Sequence, residues 1–386
     1  MSGLTIRGAG ATAMLGCALA APFAWQASAQ TLPKSTVEML DSLKIEPSIM
    51  SGLDDELKIP ETWIAGAKKE GKLRLTGSRD AKQFTEMVKP FRERYPWIDF
   101  DYSRVAYGNR VVQILVSFRQ GRVTTDVITG LGGSVAQFKD AKALEDLSDV
   151  PTFKTTPANM RDDEGAWVGH QVTHWCITYN TKLVKQSDLP ETWDDLVTNP
   201  IWRNGHLALG NRPQLWLLSL FGTKGEAWVK DYLPKLFGLN PQLRKEGVNA
   251  MITLTTVGEL WGTLPGSGYR TQLEASKGAP VSFHCPVPVP VSINVMAVLR
   301  GGNVNAAKLF VNWNQSKEGQ IAQLYADSSA PVHESFKDDD RFVPFASSIR
   351  GKPLAARSAN LLEESGEQVY ELWNSYWDKR AGRAPL

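Results

Sequence analysis

The chain is poor in cysteine: Cys17, Cys176 and Cys285 are the three among 386 residues. None stands in a Cys-x-x-Cys or comparable spacing, which speaks against zinc or iron–sulfur ligation by neighbouring thiolates. An excess of either charge is also missing, with 43 Lys and Arg against 41 Asp and Glu and no run of like sign. Such a chain offers no electrostatic footprint for nucleic acid or an anionic lipid surface. Beyond the N-terminal segment, no apolar stretch approaches the ~20 residues a membrane-spanning helix needs. Motifs of covalent or nucleotide chemistry are absent too. Gly266-Ser-Gly268 lacks the Gly-x-Ser-x-Gly form and is expected in a loop, no Walker phosphate loop occurs, and Gly130-Leu-Gly-Gly-Ser134 misses the dinucleotide fingerprint. These absences point away from an enzyme, from a metal centre and from any cofactor.

What is present begins with a three-part leader. Met1 to Arg7 carries one positive charge, Ala9 to Ala24 is apolar and rich in small residues, and Ala27-Ser28-Ala29 precedes Gln30. That layout predicts a secretory signal peptide over residues 1–29, cleaved before Gln30, and a periplasmic product. Leu15-Gly16-Cys17 offers a rival cut that would leave a lipid on Cys17, although Met14 stands where that signal favours Leu. In an oxidising compartment Cys176 and Cys285 could form one bridge; the sequence does not place their Cα atoms within reach. A secreted chain of this length predicts two cores of ~150 residues or a little more.

Residues 30–60 mix Pro, Ser, Leu and acidic residues with weak helical spacing, as an N-terminal extension would. From there strands and helices alternate. Thr62 to Glu70 has a helical pattern and Lys72 to Thr76 alternates as a strand. Phe84 to Tyr95 returns to helical spacing, Trp97 to Ser103 is a second strand, Arg110 to Arg119 a second long helix, and Thr125 to Thr129 a third strand. The alternation predicts an α/β fold with a mostly parallel sheet covered on both faces. Ligands collect in such sheets where strand carboxyl ends meet helix N-termini, here the loops Gly77–Asp80 and Gly130–Ser134.

Several strings carry a resemblance. Ile177-Thr-Tyr-Asn-Thr-Lys-Leu-Val184 leads into Leu189-Pro-Glu-Thr-Trp-Asp-Asp-Leu196, where Thr192 can cap a helix whose first turn holds Asp194 and Asp195. Pro200-Ile-Trp-Arg-Asn-Gly-His-Leu-Ala208 follows, and Ala306-Ala-Lys-Leu-Phe310 precedes Gln315-Ser-Lys-Glu-Gly-Gln320. Together with the strand and helix order over about residues 62 to 350, these resemble the extracellular solute-binding proteins of bacterial ATP-driven (ABC) importers. They look closest to the branch that holds ferric-ion, polyamine-like and small-anion binders. The resemblance implies a type II periplasmic-binding-protein fold: two lobes, each a mostly parallel sheet flanked by helices, joined by two crossing strands and closing like a hinged clamp. It places the first lobe at 61–171 and 292–386, the latter with the C-terminal helices, the second lobe at 180–281, and the hinge strands at 172–179 and 282–291.

The resemblance further implies that the ligand touches the first and third strand ends, the crossings and the second-lobe loops. Those positions hold Ser78, Arg79, Thr129, Gly130, Thr173, His174, Trp175, Asn211, Arg212 and His284. Arg79 and Arg212 face each other from opposite lobes in this arrangement, and a guanidinium fork fits carboxylate or phosphonate. Trp175, with Trp216 as a second candidate, would supply a flat apolar wall. The expected ligand is therefore an organic anion, delivered by a monomer to a membrane permease and its ATPase. Iron-binding members of the family use two adjacent tyrosines, and no two of the nine tyrosines here are adjacent; the corresponding region offers Tyr269. His170 and His174 approach a strand, where they would stand ~13 Å apart, and His206 and His333 are expected to be structural or exposed. A ferric-ion carrier, a protein reporting ligand to a membrane sensor, and a hydrolase are the alternatives.

Overall fold

The computed structural model describes residues 32–381 except 106, 338, 340–341, 343–348, 350 and 358–360. The expected signal peptide, its cleavage before Gln30 and Cys17 lie outside the described residues. Among the described residues ten strands form one continuous sheet: β1 (Lys72–Gly77), β2 (Asp99–Arg104), β3 (Val127–Thr129), β4 (Val168–Asn180), β5 (Leu207–Gly210), β6 (Gln242–Arg244), β7 (Gly262–Ser267), β8 (Val281–His284), β9 (Val289–Val298) and β10 (Leu354–Arg357). Their order is β2-β1-β3-β9-β4-β7-β5-β6, with β8 beside β4 and β10 beside β9. Within the first half β1 pairs in parallel with β2 and β3, and within the second β5 pairs in parallel with β6 and β7. The halves are lobes of one two-lobed α/β fold, each with its own large apolar cluster.

One strand belongs to both lobes. The first part of β4 pairs antiparallel with β9, from Val168↔Met296 to His174↔Val291, and its last part pairs with β7 and β8. Between β8 and β9 the chain returns through Cys285 to Pro288, with a cis bond at Val287-Pro288. At this crossing Cys176 and Cys285 are joined in a disulfide, Cα atoms 4.5 Å apart. The bridge lies in a small apolar cluster with Val172, Val289, Val291 and Val332.

Several local expectations meet a physical refinement. The helical stretch expected over 84–95 is two helices, Ala81–Met87 and Lys89–Arg94, broken at Val88 just before Pro90, whose missing N–H and fixed φ interrupt a helix. Thr192 caps the helix Trp193–Thr198 in a reciprocal box: Asp195 N–H donates to Thr192 Oγ1 at 3.1 Å and Thr192 N–H donates to Asp195 Oδ2 at 2.8 Å. Gly266 and Ser267 lie on β7 rather than in a loop, and Gly268 starts the helix Gly268–Ser276. The extension folds back as a helix, Lys34–Leu43, that buries Met39 and Leu40 in the first lobe's cluster. The C-terminal helix Leu361–Ala381 departs from its expected place beside the first lobe: Trp373 and Trp377 belong to the second lobe's cluster, Trp373 edge-on to Trp216.

Two predictions come from β4. The disulfide closes a loop spanning 109 residues, and a cross-link of that span restricts the unfolded chain by about 2–5 kcal/mol. The double variant Cys176→Ser/Cys285→Ser should lose stability in that range in denaturant melts; an unchanged midpoint would contradict the bridge.

β4 also buries two histidines, and burial is the leading cause that pushes His170 down to about 3 and His174 down to about 4. Well above pH 6.5 both rings are neutral folded or unfolded and contribute no pH dependence. As pH falls below 6.5 the unfolded chain takes up protons that the native state refuses, so stability falls by up to about 1.4 kcal/mol per pH unit for each ring. Melting curves between pH 7 and 4.5 should show that slope reduced in His170→Gln and in His174→Gln, and an identical slope in both variants would refute it.

Candidate functional site

The carboxyl ends of β1 and β3, the middle of β4 and β9, the loop after β5 and the start of the helix after β7 surround a cleft between the lobes. It consists of two adjoining chambers that share Ser78, Gly130, Gln171, Tyr269 and Asn294. Its floor follows from strand alternation. Gln171, Thr173 and Trp175 project from β4 to one side, opposite Asn294 and Ser292 of β9. These side chains hold each other: Asn294 Nδ2 donates to Gln171 Oε1 and to Thr173 Oγ1, both at 3.0 Å, and Trp175 Nε1 donates to Ser292 Oγ at 2.8 Å. Gln171 Nε2 donates to Ser329 Oγ. The floor is thus polar and fixed in orientation.

Of the ten expected ligand residues the structure brings seven to the cleft: Ser78, Arg79, Thr129, Gly130, Thr173, Trp175 and Arg212. Three do not line either chamber. His174, one residue out of phase on β4, turns to the other side of the strand against Phe283, its ring centroid 5.2 Å away. Asn211 Oδ1 accepts from Trp373 Nε1 at 2.9 Å, drawn to the C-terminal helix. His284 Nε2 donates to the Pro190 carbonyl at 2.7 Å. Trp216, the second candidate for an apolar wall, is fully buried in the second lobe and stacked on Trp193. His206 stacks on Trp261 at 3.6 Å, and His333 is buried, its Nε2 3.2 Å from Glu56 Oε1.

Arg79 reaches the first chamber, but Asp327 meets it there. Its Nε donates to Asp327 Oδ2 at 2.8 Å, with side chains 11% and 3% exposed, and its Nη1 lies against Met87 Sδ. Asp327 is fixed in turn by the Ser329 N–H on Oδ1 at 3.0 Å. A buried pair of this kind is neutral overall, and removing one partner strands the other charge. The cation that sequence reasoning missed is Arg110 on the helix Tyr107–Arg119. It is 2% exposed and lines the second chamber, where Nη1 donates to Val105 O at 2.7 Å and Nη2 to Gly130 O at 2.8 Å. Gly130 sits at φ +72°, and a Cβ there would come within 3.2 Å of both Arg110 Nη2 and Ser78 Oγ. The glycine is what lets strand end, serine and guanidinium converge.

The chambers differ in charge. The described residues lining the second include Arg110 and Arg212 and no carboxylate; in the first, Arg79 and Arg270 are balanced by Asp80 and Asp327. Arg270 is further paired with Glu274 at 2.7 Å. Burial raises the Tyr269 phenol above its usual range, so it stays protonated. Among the described residues no group of three or more His, Cys, Asp or Glu is arranged to hold a metal ion, and no helix is long and apolar enough to cross a membrane.

Comparison with known proteins agrees with this architecture. Iron-bound HitA from Pseudomonas aeruginosa superposes with a TM-score of 0.67 at 21% identity, covering 79% of this chain and 99% of that one. The substrate-binding protein of an ABC transporter from Agrobacterium tumefaciens gives 0.68 at 15% identity, over 80% and 96%. A Trichodesmium protein (IdiA, FutA) in complex with iron and citrate gives 0.61 at 18% identity, over 79% and 99%. Residues 76–321 match the family of bacterial extracellular solute-binding proteins. The two-lobed fold, the polar cleft between the lobes and this match together make the chain a member of the bacterial extracellular solute-binding protein family, a solute-binding protein rather than an enzyme.

Proposed function

We propose that the protein captures a small organic anion, carboxylate or phosphonate, in the cleft and delivers it, as a periplasmic monomer released from its signal peptide, to a permease driven by an ATPase. The observation that carries this is the second chamber: guanidinium groups from both lobes, Arg110 and Arg212, with no carboxylate among its described lining residues. A cleft with that charge repels cations and favours an anion whose oxygens the two forks can share. Trp175, anchored through Ser292, gives the organic part a flat wall. Two of the structural neighbours hold iron, but the donor set here does not suit a trivalent ion. Tyr269 is kept protonated by burial, its chain neighbour is the cation Arg270, and both chambers are lined by arginines.

Closure follows from the crossing. β4 changes partner from β9 to β7 and β8 between His174 and Ile177, and the return passes Cys285 to Pro288. Rotation there would bring Arg212 toward Arg110 with the disulfide as a fixed point. Saturating ligand should therefore shrink the scattering radius, and identical profiles with and without ligand would indicate a rigid pocket.

Calorimetric titration with a carboxylate and phosphonate panel tests the chemistry. Arg212→Ala should cost about 2–3 kcal/mol, about 30- to 150-fold in affinity, and Arg212→Lys should recover part of it. Arg79→Ala should instead lower folding stability, because it strands Asp327. Tight binding of Fe(III) with no anion binding would overturn the proposal.

A further inference from the structure

His170 is the extra residue of a β-bulge. The pairing of β4 with β9 runs Val168↔Met296, Gly169↔Val295 and then Gln171↔Asn294, so His170 has no partner across the ladder. A bulge places an additional side chain where regular alternation would send it away, and His170 lines the first chamber beside Gln171. The residue is 7% exposed.

The protonation of this ring is fixed by one amide. Gln323 Nε2 donates to the backbone carbonyl of His170 at 2.7 Å, which turns Gln323 Oε1 toward the ring, 3.2 Å from Nδ1. An amide oxygen accepts only, so Nδ1 carries the hydrogen and Nε2 of a neutral ring carries a lone pair. Burial and the nearby Arg79 charge keep the ring neutral, with a pKa of about 3. Nε2 is buried and has no hydrogen-bond partner among the described residues. An unsatisfied buried acceptor is costly, and no residue lining the same chamber is placed to donate to it.

We propose that the ligand carries a hydrogen-bond donor, a hydroxyl or an N–H, set apart from its anionic group, and that this donor docks on Nε2 of His170 while the anion sits between Arg110 and Arg212. The inference rests on the anion reading of the second chamber and extends it. His170 lines the first chamber and not the second, and the arginine pair the second and not the first, so the ligand spans both through the shared centre at Gln171, Tyr269 and Asn294. An anion lacking a donor leaves Nε2 unpaired.

The test is calorimetric titration of the full chain with matched probes: butanoate against 4-hydroxybutanoate, and propylphosphonate against 3-hydroxypropylphosphonate. The hydroxylated member of a pair should bind about 10-fold tighter or better, and the preference should vanish in His170→Phe. A plain anion that binds, is lost on Arg212→Ala and gains nothing from the hydroxyl would overturn this inference and leave the anion reading standing. Failure of all four probes to bind would remove both. Should His170→Phe not fold, nitrogen NMR of histidine-labelled wild-type protein decides: a hydrogen on Nδ1, and an Nε2 resonance that moves on adding the hydroxylated probe and not the plain one, are expected, whereas a hydrogen on Nε2 refutes the assignment.

Discussion

The structure depends on one strand crossing between two cores. Along β4 each residue answers to two constraints: its position decides which lobe it pairs with, and its parity decides whether it faces the cleft or the apolar cluster behind it. Gln171, Thr173 and Trp175 fall on the cleft side, while Val172 and Cys176 fall behind, where Cys285 completes the bridge. The same alternation therefore builds a binding floor and a staple from consecutive residues. Because the staple lies at the change of partners, it holds the two crossing segments together without linking the lobes across the cleft.

This division explains what was legible in the sequence. Ser78, Arg79, Thr129 and Gly130 could be placed because the carboxyl end of a strand in an α/β sheet is a local property, visible in the residues around it. Thr192 could be placed for the same reason, since a capping box spans four residues. His174 was misplaced because parity on a strand buried on both faces leaves no polar alternation to count. Asn211 and His284 went astray through partners far along the chain, Trp373 and Pro190. Arg110 was missed because it sits inside a helix of ordinary amphipathic spacing, and only the meeting of that helix with Gly130 brings its guanidinium to the cleft.

Arg79 shows the limit more sharply. Its position near the cleft was legible, but its charge was not available to a ligand in the way the sequence suggested, because Asp327, distant along the chain, neutralises it. A residue's type gives its chemistry in isolation. Its partners decide how much of that chemistry faces outward, and a buried ion pair leaves very little.

The bulge at His170 follows the same logic in reverse. A regular strand would have hidden the ring, as it hides that of His174, and a hidden neutral histidine is merely an awkward core residue. One extra residue in the ladder puts it into the chamber, and Gln323, held by the backbone carbonyl of that very residue, fixes which nitrogen bears the hydrogen. The result is a directed acceptor in a chamber whose charges cancel, beside a chamber whose charges do not. Charge selects the class of ligand from a distance and says little about its shape, whereas a single buried lone pair acts only at contact and rejects what cannot donate to it. On the proposed function the two chambers would therefore divide recognition between attraction and discrimination.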